Sequence, residues 1–157
     1  MNNNMAMTIV TCGEYQVAVY LHTSANPSPE LWNEGLVRIT ELKRKLGGDV
    51  SKVRTLAVSD GGAPNTVQRS ALFTDLLEGK GKAAGVTSQL SNRLLRGVAT
   101  AISWLNPNFR VYPPEQFNNA LEHLDLEPYR DRLIASLQQL QKSVSPVQTL
   151  AMSIAAG

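Results

Sequence analysis

The residues best suited to chemistry lie in one loop, residues 59–66, which reads Ser-Asp-Gly-Gly-Ala-Pro-Asn-Thr. An apolar run ends at Ser59, and Asn65 has the residue type and spacing of the cap of a following helix. The two glycines would expose backbone N–H groups near the positive end of that helix, which is an arrangement that binds anions. The candidate residues of a partner- or anion-binding loop are therefore Asp60, Gly61, Gly62 and Asn65.

The same loop has a simpler interpretation, in which Asp60 belongs to a turn and Asn65 only caps the helix. The loop contains neither Gly-x-x-x-x-Gly-Lys-Ser/Thr nor Gly-x-Gly-x-x-Gly, so it matches neither common nucleotide-binding motif. Arg93 and Arg96 stand one helical turn apart later in the chain. We expect these arginines either to form a polar rim beside the loop or to be solvated.

No other group of residues indicates catalysis. Cys12 is the single cysteine, so we expect neither a disulfide framework nor a thiolate metal cage. His22 and His123 belong to different elements, and no zinc spacing or nucleophile elbow accompanies them. The sequence therefore predicts a protein that is not an enzyme, with no catalytic residues, no metal and no cofactor.

Composition places the chain among globular proteins. It has 157 residues, of which 43% are hydrophobic and 18% charged, which is enough for one domain with a substantial core. The formal net charge of +2 is too small to indicate nucleic-acid binding. No transmembrane segment and no secretory leader is expected, which predicts a cytoplasmic location.

Hydrophobic periodicity predicts the element order β-β-α-β-α-β-α-β-α-α. The predicted strands are residues 8–12, 15–21, 53–58, 83–87 and 109–112. The predicted helices are residues 29–46, 65–77, 91–105, 113–124 and 128–142. Alternating strands and helices favour right-handed crossovers. We therefore expect an α/β fold with a mostly parallel or mixed sheet of about five strands.

The third predicted helix is expected to be capped by Ser91 and to bury one apolar stripe. That stripe consists of Leu94, Leu95, Val98, Ile102 and Leu105. Trp32 and Trp104 are expected to be core or half-buried anchors rather than ligand-stacking residues.

The ends of the chain have a different composition. Residues 1–7 are uncharged and Asn-rich, and we expect them to be disordered. An α/β domain at 8–126 is followed by an amphipathic helix at 127–145. That helix is expected to pack back on its own domain, or else to form a homodimer or helix-in-groove contact. The Ala-rich tail, 146–157, is expected to be frayed or partner-bound.

The element order resembles that of the STAS domain, through the strand–loop–helix at Leu56–Leu72 and the last strand with its proline-started helix at Phe109–Leu124. STAS is the fold of bacterial anti-sigma factor antagonists and of the cytoplasmic tails of anion transporters. A lipid-transfer-like group of bacterial single domains shares it. The resemblance covers about residues 8–126, and it implies a non-enzymatic interaction or signalling module with a protein partner such as a kinase or anti-sigma-like regulator.

In the antagonists, an Asp-Ser pair after the third strand is the switch, because a kinase phosphorylates the Ser and so controls binding. Asn65-Thr66 stands in that place, followed by Val67-Gln68 where the family has Ser-Gly. The resemblance thus makes Thr66 the first phosphoacceptor candidate and Ser59 the second. The alternatives are a small-molecule or lipid carrier and an immunity-type or structural binding protein.

Overall fold

The computed structural model describes residues 3–156, which form five strands and six α-helices. The strands are β1 (Met5–Cys12), β2 (Tyr15–His22), β3 (Val53–Ser59), β4 (Lys82–Thr87) and β5 (Phe109–Tyr112). The helices are α1 (Pro29–Lys45), α2 (Thr66–Ser70), α3 (Arg93–Leu105), α4 (Phe117–His123), α5 (Arg130–Gln141) and α6 (Gln148–Ala155). A π-helical segment, Ala71–Leu76, continues α2, and the 3₁₀ turns Pro114–Gln116 and Glu127–Tyr129 precede α4 and α5.

The five strands form one mixed sheet in the order β1-β2-β3-β4-β5. The first two strands pair antiparallel, and the remaining pairs are parallel. Because each parallel strand lies next to its predecessor in sequence, right-handed crossovers put α1, α2 and α3 on the same face. The predicted α/β class with a five-strand mixed sheet is confirmed.

The sheet separates two apolar cores. Along β2, Val17, Val19 and Leu21 pack with the helices α4–α6. Ala18 and Tyr20 alternate with them and pack with α1, α3 and the π-helical segment. The period-2 alternation of a strand produces this division, and it makes the chain a three-layer α/β/α sandwich.

The N-terminal residues are more ordered than the sequence indicates. Met5–Met7, expected to be disordered, are the first residues of β1, and Met5 pairs with His22. Asn3 forms an isolated bridge to Val144. The alternation of apolar and polar residues is too weak in this Asn-rich stretch to show a strand, whereas pairing with the buried β2 stabilises one. Residues 1 and 2 lie outside the described part of the chain.

The C-terminal residues are part of the domain. Leu133 and Leu137 of α5 are buried in the same core as α4, so the expected packing of this helix against its own domain is observed. Residues 148–155, expected to be a frayed or partner-bound tail, form α6, in which Leu150 is buried. The apolar side of α5 proposed for a homodimer contact is therefore used within the chain. Residue 157 lies outside the described residues.

Candidate functional site

The candidate loop lies at the carboxyl ends of the parallel strands, where α/β proteins usually bind ligands. It connects β3 to α2, and the loop after β4 lies beside it. The N-terminus of α6 reaches the same edge, because hydrogen bonds join it to both loops. The chain's own C-terminal helix thus covers part of the edge at which the sequence predicts a site.

Asp60 has a structural role that the sequence does not reveal. Its Oδ2 accepts a hydrogen bond from the backbone N–H of Gln148 at 2.8 Å, and its Oδ1 accepts from that of Thr149 at 2.8 Å. The carboxylate therefore caps α6 and is not directed at a partner or used in a simple turn. Because the capped residues lie 88 and 89 positions away, no local pattern indicates this contact.

Thr149 completes the connection between α6 and the two loops. Its side-chain hydroxyl donates to the backbone oxygen of Ser59 at 3.0 Å and accepts from the backbone N–H of Ser88 at 3.1 Å. Thr149 is fully buried. A buried hydroxyl with donor and acceptor partners fixes the relative positions of the strand ends.

The backbone N–H groups of the loop are already paired. The N–H of Asp60 donates to the oxygen of His22, and that of Gly62 donates to the oxygen of Thr23. The N–H of Gly61 donates to the hydroxyl of Ser59, and that of Ala63 donates to the Asn26 side chain. Since these four donors are satisfied within the chain, the expected anion-binding role of the glycine loop has no support from this geometry.

The two phosphoacceptor candidates differ in accessibility. Ser59 is 9% exposed, and its hydroxyl donates to the oxygen of Gly62 at 2.7 Å. Thr66 is exposed at the first position of α2, and its hydroxyl accepts from Nη2 of Arg69 at 3.0 Å. A kinase can therefore reach Thr66 without opening the fold, but it cannot reach Ser59.

Asn65 caps α2 as its spacing predicts. Its side chain accepts from the N–H of Gln68 at 2.8 Å, and the Gln68 side chain accepts from the N–H of Asn65 at 2.9 Å. This reciprocal capping box holds Thr66 in a fixed position at the surface.

The helix α3 presents more apolar surface than the sequence analysis predicts. Asn92, not Ser91, caps it. Leu94, expected in the buried stripe, is 83% exposed, and Trp104, expected to be an anchor, is 80% exposed, whereas Trp32 is 3% exposed. Leu94 stands at the edge of the expected stripe, in the first turn of the helix. Within that stripe Ile102 is buried, and the other three members, Leu95, Val98 and Leu105, are partly exposed.

The outward apolar residues of α3 form one stripe, in which Leu94, Gly97 and Trp104 are exposed and Ala101 is partly buried. They follow the spacing i, i+3, i+7 and i+10, which spans about 80° of arc at 3.6 residues per turn. Val67 on α2 is also exposed, by 78%. Helices α2 and α3 cover the same face of the sheet, so their outward side chains lie on the same side of the molecule.

Arg93 and Arg96 are exposed on α3, and neither forms an ion pair with a residue in the described range 3–156. The side chain of Gln89, which precedes α3, lies next to Gly61 of the loop. No hydrogen bond joins either arginine to the loop within residues 3–156, and the polar rim stays a prediction. On α3 both arginines lie on one side of the apolar stripe, Arg93 about 20° and Arg96 about 80° beyond Trp104 at 3.6 residues per turn.

Other candidate groups are dispersed. Within residues 3–156, no three His, Cys, Asp or Glu side chains come together as a metal-binding group. His123 is bonded through Nε2 to the oxygen of Asn108 at 2.7 Å, away from His22. Cys12 is buried, and burial raises the pKa of its thiol.

No helix in the described range has the length and apolar character needed to cross a bilayer.

Comparison of the chain with protein-family models, with curated proteins and with solved structures gives no match in any of the three.

Proposed function

We propose that the protein is a non-enzymatic interaction module of STAS-like architecture, whose docking surface is the outer side of α2 and α3. The observation that carries this proposal is the exposed stripe of α3, with Leu94 at one end and Trp104 at the other. Exposed tryptophan and leucine on one helix side are more typical of a protein contact than of a solvated surface.

The charge around the stripe supports a partner with acidic residues at its rim. Arg93 borders one side of the stripe, Arg96 lies further round the helix on that same side, and the sequence of α3 contains no acidic residue. Arginine at the edge of an interface forms bidentate contacts with carboxylates and raises the association rate. An apolar groove bordered by Asp or Glu would therefore fit α3.

A pull-down from native lysate tests this surface. The baits are the wild-type chain, the double variant Leu94→Ser/Trp104→Ala and the control variant Val37→Ser, which changes an apolar residue on α1 that is 68% exposed. We expect one protein to be captured by the wild type and by the control, and to be lost with the double variant. Capture by all three baits alike would refute the docking surface.

Phosphorylation of Thr66 is the proposed switch of this module. A phosphate would add about −1.5 to −2 charge beside Arg69, the residue whose guanidinium already contacts the hydroxyl. The added charge would change the surface next to Val67 without unfolding α2, because anions are stabilised at helix N-termini.

The switch is tested by incubating the protein with a kinase encoded beside its gene and mapping phosphate by mass spectrometry. We expect phosphate on Thr66 and none on the buried Ser59. Absence of phosphate from Thr66 would remove the switch and leave the docking surface to stand on the pull-down.

A further inference from the structure

A cavity of about 90 Å³ lies between the sheet and a cover made by α1, the π-helical segment and α3, on the side opposite α4–α6. Its lining extends from Thr55 within β3 to residues 62–64 of the loop after that strand. The cavity therefore reaches the carboxyl edge of the sheet, where ligands enter α/β folds.

Small side chains on the sheet create this space. The rungs across the sheet place Tyr20 beside Ala57, Ala57 beside Gly85, and Gly85 beside Val111. The sheet forms the floor of the cavity. Ala57 and Gly85 occupy the centre of this floor, so they leave a gap that larger residues would fill.

The cover of the cavity is irregular. It includes Leu72 and Phe73 of the π-helical segment, whose wide turn is marked by a hydrogen bond from the N–H of Leu77 to the oxygen of Leu72 at 2.9 Å. Such π-helical turns frequently occur at functional sites. From α3, Leu95 and Val98 cover the floor while remaining partly exposed, so this helix is less tightly packed than the strands below it.

His22 is the polar group of the cavity that lacks a partner. It is 3% exposed, and its Nδ1 forms no hydrogen bond with any residue in the described part of the chain. A buried imidazole nitrogen without a partner destabilises the fold, so a bound molecule with a hydrogen-bonding group would restore a favourable contact. Its ring stacks with Tyr20 at a centroid distance of 6.2 Å.

The lining sets the chemistry of the occupant. It contains no Asp, Glu, Lys or Arg among the described residues, so a charged ligand would be desolvated without compensation. Trp32, Tyr20, Phe73 and Phe109 supply aromatic walls. The volume corresponds to about six to nine water-sized groups, at roughly 10–15 Å³ for each.

We propose that this cavity binds a small uncharged aromatic molecule with one hydroxyl group, of the size of a monocyclic phenol, and that Nδ1 of His22 hydrogen-bonds that hydroxyl. The site is separate from the docking surface, and it gives the small-molecule alternative from the sequence a defined location and ligand class.

Titration with phenol and toluene tests the site, because the two molecules have the same number of non-hydrogen atoms and differ in the hydroxyl. Binding is followed by backbone amide NMR shifts and quantified as dissociation constants. We expect phenol to shift the amides of Ala57, Gly85 and Thr87. His22→Leu should weaken phenol binding about tenfold and change toluene binding by less than threefold, since only phenol loses a hydrogen bond.

A second variant keeps the test valid if His22→Leu does not fold. Gly85→Ala adds one methyl to the floor, and the nearest atom to the new Cβ would be Cζ of Phe109 at 3.5 Å, an ordinary contact. We expect this variant to fold and to bind both molecules at least threefold more weakly.

Any one of three results would overturn the proposal. The first is that amide shift changes are confined to residues outside the cavity. The others are an equal loss of affinity for phenol and toluene in His22→Leu, or unchanged affinities for both in Gly85→Ala. Trp104→Ala, which alters the docking surface, should leave the affinity for phenol within twofold of the wild-type value. This control separates a failure of the proposed ligand site from a failure of the proposed docking surface.

Discussion

The stability of the folded protein depends on pH through His22. Burial lowers the pKa of its imidazole to about 4, from an ordinary value of 6.5. Between these values the unfolded chain binds a proton that the folded chain does not. The free energy of unfolding is therefore at its full value above about pH 6.5. It falls as the pH is lowered towards about 4, by an amount on the order of 3 kcal/mol.

Urea unfolding at pH 7 and at pH 4.5 measures this effect. We expect the loss of stability at the lower pH to be clearly smaller in His22→Leu than in the wild type. An equal loss in both proteins would assign the pH dependence to other groups and contradict the buried neutral state of His22.

Contacts between neighbouring residues were predictable from the sequence, whereas contacts between distant residues were not. Asn65 was predictable as a cap because its partner, Gln68, is three residues away and the pattern is local. Asp60 was not, because it caps a helix more than eighty residues later. His22 falls on the face of β2 that the alternation indicates, but no sequence pattern shows that its Nδ1 is buried without a bonding partner among the described residues.

The C-terminal helix α6 depends on one carboxylate. Asp60 satisfies two backbone donors of its first turn, and removal of such a cap destabilises a helix or protein by about 0.5–2 kcal/mol. We expect Asp60→Ala to lower the free energy of unfolding by about 1–2 kcal/mol, as measured by urea denaturation.

The matched control is Asp75→Ala, which removes an exposed carboxylate that forms no ion pair with any residue in the range 3–156. Its effect should stay within about 0.5 kcal/mol, as for most surface substitutions. Equal stability of the two variants would show that the cap does not hold α6 in place.

Helix α3 shows why the position of a helix is easier to predict than which of its residues are buried. Its apolar content predicts the helix correctly, and Ile102 is buried as expected, whereas Leu95 is only partly buried. Leu94 and Trp104 carry the same hydrophobic signal but are exposed. Periodicity cannot distinguish a core residue from a contact residue on the flank of the buried arc, because both are apolar.

The whole molecule is a sandwich whose two sides differ in structure. The α4–α6 side is closely packed and holds the carboxyl edge together through Thr149. The α1–α3 side contains the cavity and the exposed stripe. Strand and helix order determined the α/β class from sequence, whereas the position of α6 depends on long-range hydrogen bonds that no local pattern encodes.

The proposed contact between the outer side of α3 and a protein partner is best tested by measuring the affinity of the captured, purified partner. Truncating a tryptophan that anchors an interface typically costs 2 kcal/mol or more. Calorimetry should therefore show that Leu94→Ser/Trp104→Ala binds at least about tenfold more weakly than the wild type, while Val37→Ser binds within twofold. Equal affinity of all three proteins would show that the partner does not bind this side of α3.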